Sequence, residues 1–236
     1  QRGAQRLVAR VAAGAAVGVF NGLLIAKLNL SPFIVTLAAM SVTRGIALIL
    51  TKGIPIYGFP VNFTWWGSGH IGSLNPPILM AVLLGLLAAL VLNRTKLGYY
   101  TLALGGNEEA LRRSGVAHKT YKTIVYTISG LTAAVGGLVI TARLNTAEPL
   151  AGWMLELDAI AAVVLGGTDM KGGRGSITGT IMACLLLGML RNGLTILNIP
   201  SYYQQLTIGL IILAAIIISE LRLRNAPGHG TITKED

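Results

Sequence analysis

Six apolar stretches recur along the chain, each close to the length at which an α-helix crosses a bilayer. They run over roughly Leu7–Ala26, Phe33–Thr51, Pro77–Leu92, Thr123–Ala142, Ile177–Leu197 and Tyr203–Ser219. At 1.5 Å per residue, about 20 residues traverse a hydrocarbon core of ~30 Å. Backbone in lipid must satisfy its own hydrogen bonds, so continuous runs of this length are helices; a membrane barrel would show short alternating segments instead. A seventh run, Asp158–Gly167 (DAIAAVVLGG), is too short to span alone. It either starts earlier, at Trp153, or is a broken or re-entrant helix held among its neighbours. Of the 236 residues 53% are hydrophobic and only 12% charged, against about a quarter charged in soluble domains. A soluble enzyme, a disordered chain and a disulfide scaffold are excluded. The expected fold is all-α: a polytopic membrane helix bundle, a single domain over residues 1–236, with about six or seven membrane segments.

The net charge of +10 comes from 19 Lys and Arg against 9 Asp and Glu. In a soluble chain it would point to nucleic acid; between membrane spans it reads as topology. The loop Asn93–Lys122 holds Arg94, Lys96, Arg112, Arg113, Lys119 and Lys122. The turn Asp169–Ser176 holds Lys171 and Arg174, and the tail after Ser219 holds Arg222, Arg224 and Lys234. With Lys27 these place twelve of the nineteen on one side, whereas Lys52–Pro76, Arg143–Glu156 and Asn198–Ser201 carry only Lys52 and Arg143. The first set is expected to be cytoplasmic, with the C-terminus on that side. Trp65, Trp66, Tyr202 and Tyr203 then anchor the outer interface. Arg2, Arg6 and Arg10 fall on the wrong side of this scheme and the chain begins with Gln1, so an N-terminal truncation is expected.

Small residues recur at packing intervals: Gly14, Gly18 and Gly22 in the first span, Ala133 with Gly137, and Gly175 with Gly179. Lipid supplies no hydrophobic force between helices, so close approach through such residues drives association, within the chain or across a dimer. Cys184 lies inside an apolar run and reads as a packing residue.

The most informative polar stretch is LGGNEEALRRSGVAHKTYK, Leu104–Lys122. Asn107 is a suitable N-cap, Glu108 and Glu109 fill the first turn, Arg112 and Arg113 the last, and Gly115 supplies a left-handed C′ position. A two-turn helix over Glu108–Ser114 is expected. It is either a solvated connector or a docking element for a soluble partner.

The remaining polar features show no chemistry of their own. GGTDMKGGRGSITGT, Gly166–Thr180, fails the phosphate-loop pattern, because Arg174–Gly175 stands where Lys should directly precede Ser176. His70, His118 and His229 are scattered, with no metal-ligand spacing. No catalytic, cofactor or metal residues are expected, and the chain does not read as an enzyme. Arg44 and Arg191 lie within spans, where charge is costly. For Arg44 a salt bridge or carbonyl contact is the plainer reading, ahead of sugar contact; for Arg191, beside Asn192, it is snorkelling to the interface, with a lining role second. Asp158 reads as an N-cap and Ser201 with Gln204 as a capping box. Arg44, Asp158 and Asn192 remain candidates for a pathway or gate.

GGNEEALRRSGV, followed by a span and then ELDAIAAVVLGGTDMKGGRGSITGT, resembles the membrane permease of ribose-type, simple-sugar ABC importers, as do PFIVTLAAMSVTRGIALILTKGIPI and SYYQQLTIGLIILAA. The resemblance implies a transmembrane permease subunit that moves a ribose-like sugar across the cell inner membrane. It implies three partners: a cytoplasmic ATP-binding subunit, an extracytoplasmic sugar-binding protein and a second permease subunit. It also implies that the loop Gly105–Gly115 holds an ATPase-coupling helix of Gly106, Asn107, Glu108, Glu109, Ala110, Leu111, Arg112, Arg113, Ser114 and Gly115. Members of the family begin with further spans and a GGIDLSVG-like motif that has no counterpart here. The alternatives are an inactive or structural remnant, or a permease of the same family for a nucleoside or a furanose-like signal.

Overall fold

The computed structural model describes residues 2–170 and 172–224, with the side chains of 2–7, 208, 212, 215, 216 and 218–224 left out. The expectations placed on Gln1, Arg2, Arg6, Lys171, Arg222, Arg224, His229 and Lys234 lie outside what is described. Ten helices are formed among the described residues, and the chain divides into two compact units, Gln1–Trp153 and Met154–Asp236.

In the first unit the spans are α1 (Arg2–Leu28), α2 (Pro32–Thr51), α4 (Pro76–Arg94) and α7 (His118–Leu144). Between them lie the short α3 (Val61–Ser68), α5 (Lys96–Gly106) and α6 (Glu108–Arg113). Proline opens α2 and α4, where its missing N–H and fixed φ suit a first turn. Lys52 and Asn145 close α2 and α7 in the left-handed conformation. The chain after α7 pairs back on the chain after α2. Strand β1 (Ile56–Tyr57) runs antiparallel to β2 (Thr146–Ala147), with Ile56 opposite Ala147. The Asn145 Oδ1 accepts a hydrogen bond from the Phe59 amide at 3.2 Å.

The tightest packing is α1 against α7. Contacts run from Gly14 with Gly130 and Ala134, through Gly18 with Tyr126 and Thr127, to Gly22 with Thr123, so the helices are antiparallel. A Cβ at Gly14 would lie 2.6 Å from the Gly130 carbonyl oxygen, and one at Gly22 2.8 Å from the Thr123 Cα. The Gly14–Gly22 motif therefore packs within the chain. On α7 the small residues that meet it are Gly130 and Ala134, not the expected Ala133 and Gly137. Ala133 is exposed, and nothing lies within 4 Å of a Cβ built on Gly137. Both pairs have the same four-residue spacing, and only the partner helix selects which one faces inward.

The second unit holds α8 (Leu155–Leu165), α9 (Ile177–Ile196) and α10 (Ser201–Arg224). At 11 residues α8 is about 16 Å long, half a bilayer core. It starts at Leu155, just after Met154 in the left-handed conformation, and ends at Gly166. Gly166 packs against the first turn of α9: its Cβ would lie 2.6 Å from the Thr180 Cα. Between the helices, Gly167, Gly172 and Gly173 take positive φ, and the Ser176 Oγ caps α9 by accepting from the Gly179 amide at 3.1 Å. The glycine-rich segment is thus a turn between two touching helices.

Among the described residues five helices are long and apolar enough to cross a membrane: Val8–Leu28 of α1, then α2, α4, α7 and α9. The sixth expected span forms α10, whose side chains are described only in part. The apolar faces stay largely uncovered, with Ile49 77%, Leu50 79% and Leu86 64% exposed. Such a surface is untenable in water and is what lipid and neighbouring spans cover. Hydroxyls in the spans turn inward on their own helix. Thr43, Thr127, Thr141 and Thr180 each donate to the carbonyl four residues back at 2.8–2.9 Å, which spares them an unmatched donor in lipid. The chain is an all-α, multi-pass membrane protein.

Candidate functional site

Two arrangements stand out, one in each unit. The first is the polar connection from α4 to α7. Thr95 ends α4 and caps α5, which carries the chain back to Asn107. Helix α5 falls within the stretch expected to be a loop; its apolar centre, YYTLAL, is the signal for it in the sequence. The next helix, α6, is built as expected. The Asn107 Oδ1 accepts from the Ala110 amide at 2.9 Å, and Gly115 takes φ +76° just past the C-terminus. On its outer side the Glu109 carboxylate accepts from Arg112 at 2.7 Å and Arg113 at 3.2 Å. These two bonds hold the Glu109 carboxyl below its ordinary pKa.

A six-residue helix is not stable alone; two contacts hold this one, and a third ties its neighbour α5 to α7. Leu111 is 7% exposed. Glu108 receives the ammonium of Lys122 on both carboxylate oxygens, at 2.6 and 2.8 Å, and Lys122 is itself 14% exposed. Tyr100 on α5 meets Tyr121 on α7 edge-on at 4.8 Å between centroids. The helix is thereby tied to the start of α7, the span that packs on α1. Lys122, expected only as a topology charge, has its partner 14 residues away, a pairing that depends on how α6 folds back.

The second arrangement lies between α8 and α9. The helices touch at Gly166 and Gly179, and toward the other end of α8 they flank an open cavity of about 300 Å³. Its walls include Ala159, Ala162, Cys184, Leu187 and Gly188, and Asp158 and Arg191 line it together. The Arg191 guanidinium donates to the Asp158 Oδ2 at 2.8 Å. Three expectations are corrected here. Asp158 does not cap α8: Met154 occupies that position without a side-chain bond, and Asp158 sits within the first turn. Arg191 does not merely snorkel, because its charge is met by Asp158. Cys184 is exposed on the cavity wall and does not pack in a core. Asn192 is exposed and is not brought to the cavity.

Other polar expectations also change. In the first unit Arg44 makes no salt bridge among the described residues; its guanidinium lies 4.5 Å over the Trp153 ring. Gln204 does not close a capping box with Ser201, since its amide donates to the Ile199 carbonyl at 2.8 Å. Arg10, which contradicts the charge rule, stands 5.4 and 5.3 Å over the rings of Phe59 and Phe63. Cation–π contact with two rings gives this charge a place in the N-terminal third of α1.

Comparison with known proteins follows the same outline. The family described as branched-chain amino acid transport system / permease component matches residues 5–216. The chain is 43% identical over 216 residues to the ribose import permease protein of Escherichia coli strain K12, covering 90% of this chain and 67% of that protein. It is 44% identical over 200 residues to the ribose import permease protein of Bacillus subtilis strain 168, covering 84% and 62%. It is 36% identical over 215 residues to the D-allose transport system permease protein of Escherichia coli strain K12, covering 91% and 66%. The chain thus spans about two thirds of the length of these relatives. No solved structure gives a significant match.

Proposed function

We propose, from the premise that the chain belongs to the branched-chain amino acid transport system / permease component family, that it is the permease subunit of an ATP-driven importer for a simple sugar of the ribose type. The observation that carries this reading is the extended similarity to permease proteins named for ribose and allose. The fold supports it: among the described residues five helices are long and apolar enough to cross a membrane, the frame of a multi-pass permease.

The chain acts as one permease domain in the cell inner membrane, with α6 and the C-terminus cytoplasmic, as the distribution of Lys and Arg favours. It pairs with a second permease subunit. An extracytoplasmic binding protein delivers the sugar, and a cytoplasmic ATP-binding subunit grips the segment Gly106–Gly115. The physical basis for coupling is the stiffness of that segment. With Glu108 bonded to Lys122 and Leu111 buried, a displacement of α6 carries the start of α7 with it. The glycine contact passes the motion on to α1. Closing of the ATP-binding subunits then tilts spans as bodies rather than bending a loop.

The test is reconstitution of the permease with its ATP-binding and sugar-binding partners in lipid vesicles. Sugar-loaded binding protein should stimulate ATP hydrolysis and drive uptake of D-ribose, and failure of both would refute the transport reading. For coupling, Arg112→Glu or Gly115→Trp should weaken co-purification with the ATP-binding subunit; unchanged co-purification rejects α6 as the docking element.

A further inference from the structure

The cavity between α8 and α9 combines three features that packing by itself does not require. One wall is a helix only as long as half a bilayer core is thick. Small residues, Ala159, Ala162, Cys184 and Gly188, leave a space between the two helices that none of the described side chains fills. A charged pair opens into that space. Half-helices beside polar groups are where membrane transporters build substrate sites, and charge within a span is costly enough to be functional by default.

We propose that this cavity is a transit site for a neutral polyhydroxylated ligand, contacted by Asp158 and Arg191. The proposal rests on the sugar-permease reading above and extends it to named residues. The pair has the chemistry for adjacent hydroxyls. One Arg191 nitrogen bonds one Asp158 oxygen, leaving the second carboxylate oxygen as an acceptor and further guanidinium N–H groups as donors. A hydroxyl both donates and accepts, so neighbouring hydroxyls of a polyol bridge the two side chains. A sugar phosphate would meet the Asp158 carboxylate and a cationic ligand the Arg191 guanidinium, so the pair, neutral overall, favours an uncharged guest. Leu155, Leu187 and the alanines offer apolar walls to C–H faces. At about 300 Å³ the cavity stands at the lower end of small-molecule sites, a size for a monosaccharide rather than a disaccharide. A site with few polar contacts also releases its cargo readily, as a path must.

Cys184 is the only cysteine in the chain and lies on the cavity wall, so alkylation of this thiol reports occupancy independently of transport. In vesicles containing the permease with its partners, D-ribose should slow maleimide labelling of Cys184 several-fold, and ribose 5-phosphate should not. Asp158→Asn should remove the protection. The exchanged pair, Asp158→Arg with Arg191→Asp, keeps an ion pair between the helices but moves donor and acceptor. It should lose protection and move less sugar per ATP hydrolysed, whereas a purely structural pair would keep both. The proposal is overturned by equal labelling with and without D-ribose in vesicles that take up sugar, or by an exchanged pair that behaves as the native one. Vesicles with every partner present that show no ATP-driven uptake overturn the permease reading, and the site with it.

Discussion

Two glycines six residues apart on α7 offer a controlled test of the α1–α7 contact. Gly130→Ala puts a Cβ 3.0 Å from the Gly18 Cα and amide nitrogen, and nearer still to the Gly14 carbonyl oxygen. All are backbone atoms, so the helices must part. Gly136→Ala meets nothing within 4 Å. Both substitutions gain the same intrinsic helical preference, about 1 kcal/mol, so comparing the two variants cancels it. What remains is the overpacking term at Gly130, about 1–3 kcal/mol. At roughly 2–4 °C per kcal/mol for a chain of this size, Gly130→Ala should melt several degrees below Gly136→Ala. The assay is thermal unfolding of the purified permease in detergent, followed by loss of the monodisperse peak. Equal melting of the two variants would show that α1 and α7 do not meet at the Gly14–Gly18–Gly130 crossing.

Three further outcomes follow from contacts described above. Leu111→Ala removes the buried side chain of α6, a loss of about 2 kcal/mol at the low end for core leucines, and should raise protease cleavage within 105–115. Glu109 has a folded-state pKa below its unfolded value, so its contribution is present at neutral pH and is lost as pH falls through the lowered folded value. Protease sensitivity of α6 should therefore rise below the ordinary carboxylate range, and Glu109→Gln should flatten that acid-dependent rise. Arg10→Ala gives up two ring contacts worth about 0.5–1 kcal/mol each at an exposed site. It should lower the melting temperature more than Arg10→Lys, which keeps a cation over the rings, and an Arg10→Ala variant that melts with the native protein would deny the contacts a role.

The spans were legible because a bilayer sets a length and hydropathy that one apolar run satisfies locally. Expected and observed ends differ by no more than five residues at any of the six. Helix α6 was legible for a similar reason. Its cap at Asn107, its acidic first turn and its Gly115 stop all act within a few residues of chain. The short α3 and α5 were not read, since neither has the length that marks a span. The site readings fared worst. Asp158 looks like a cap from its neighbours alone, and its partner Arg191 lies 33 residues on. Ala133 with Gly137 and Gly130 with Ala134 are indistinguishable as spacings until α1 selects one face.

By itself the sequence determined that this chain lives in a membrane, where its six long apolar helices run to within five residues, and which family it resembles. Those properties are sums over neighbouring residues: hydropathy over a span, caps over a turn, motifs over a segment. The tertiary structure decided which small residues touch, which charges find partners and where the chain leaves a cavity. Each of these depends on groups far apart in sequence meeting at distances of a few ångströms, and only the packing of one helix against another fixes such distances.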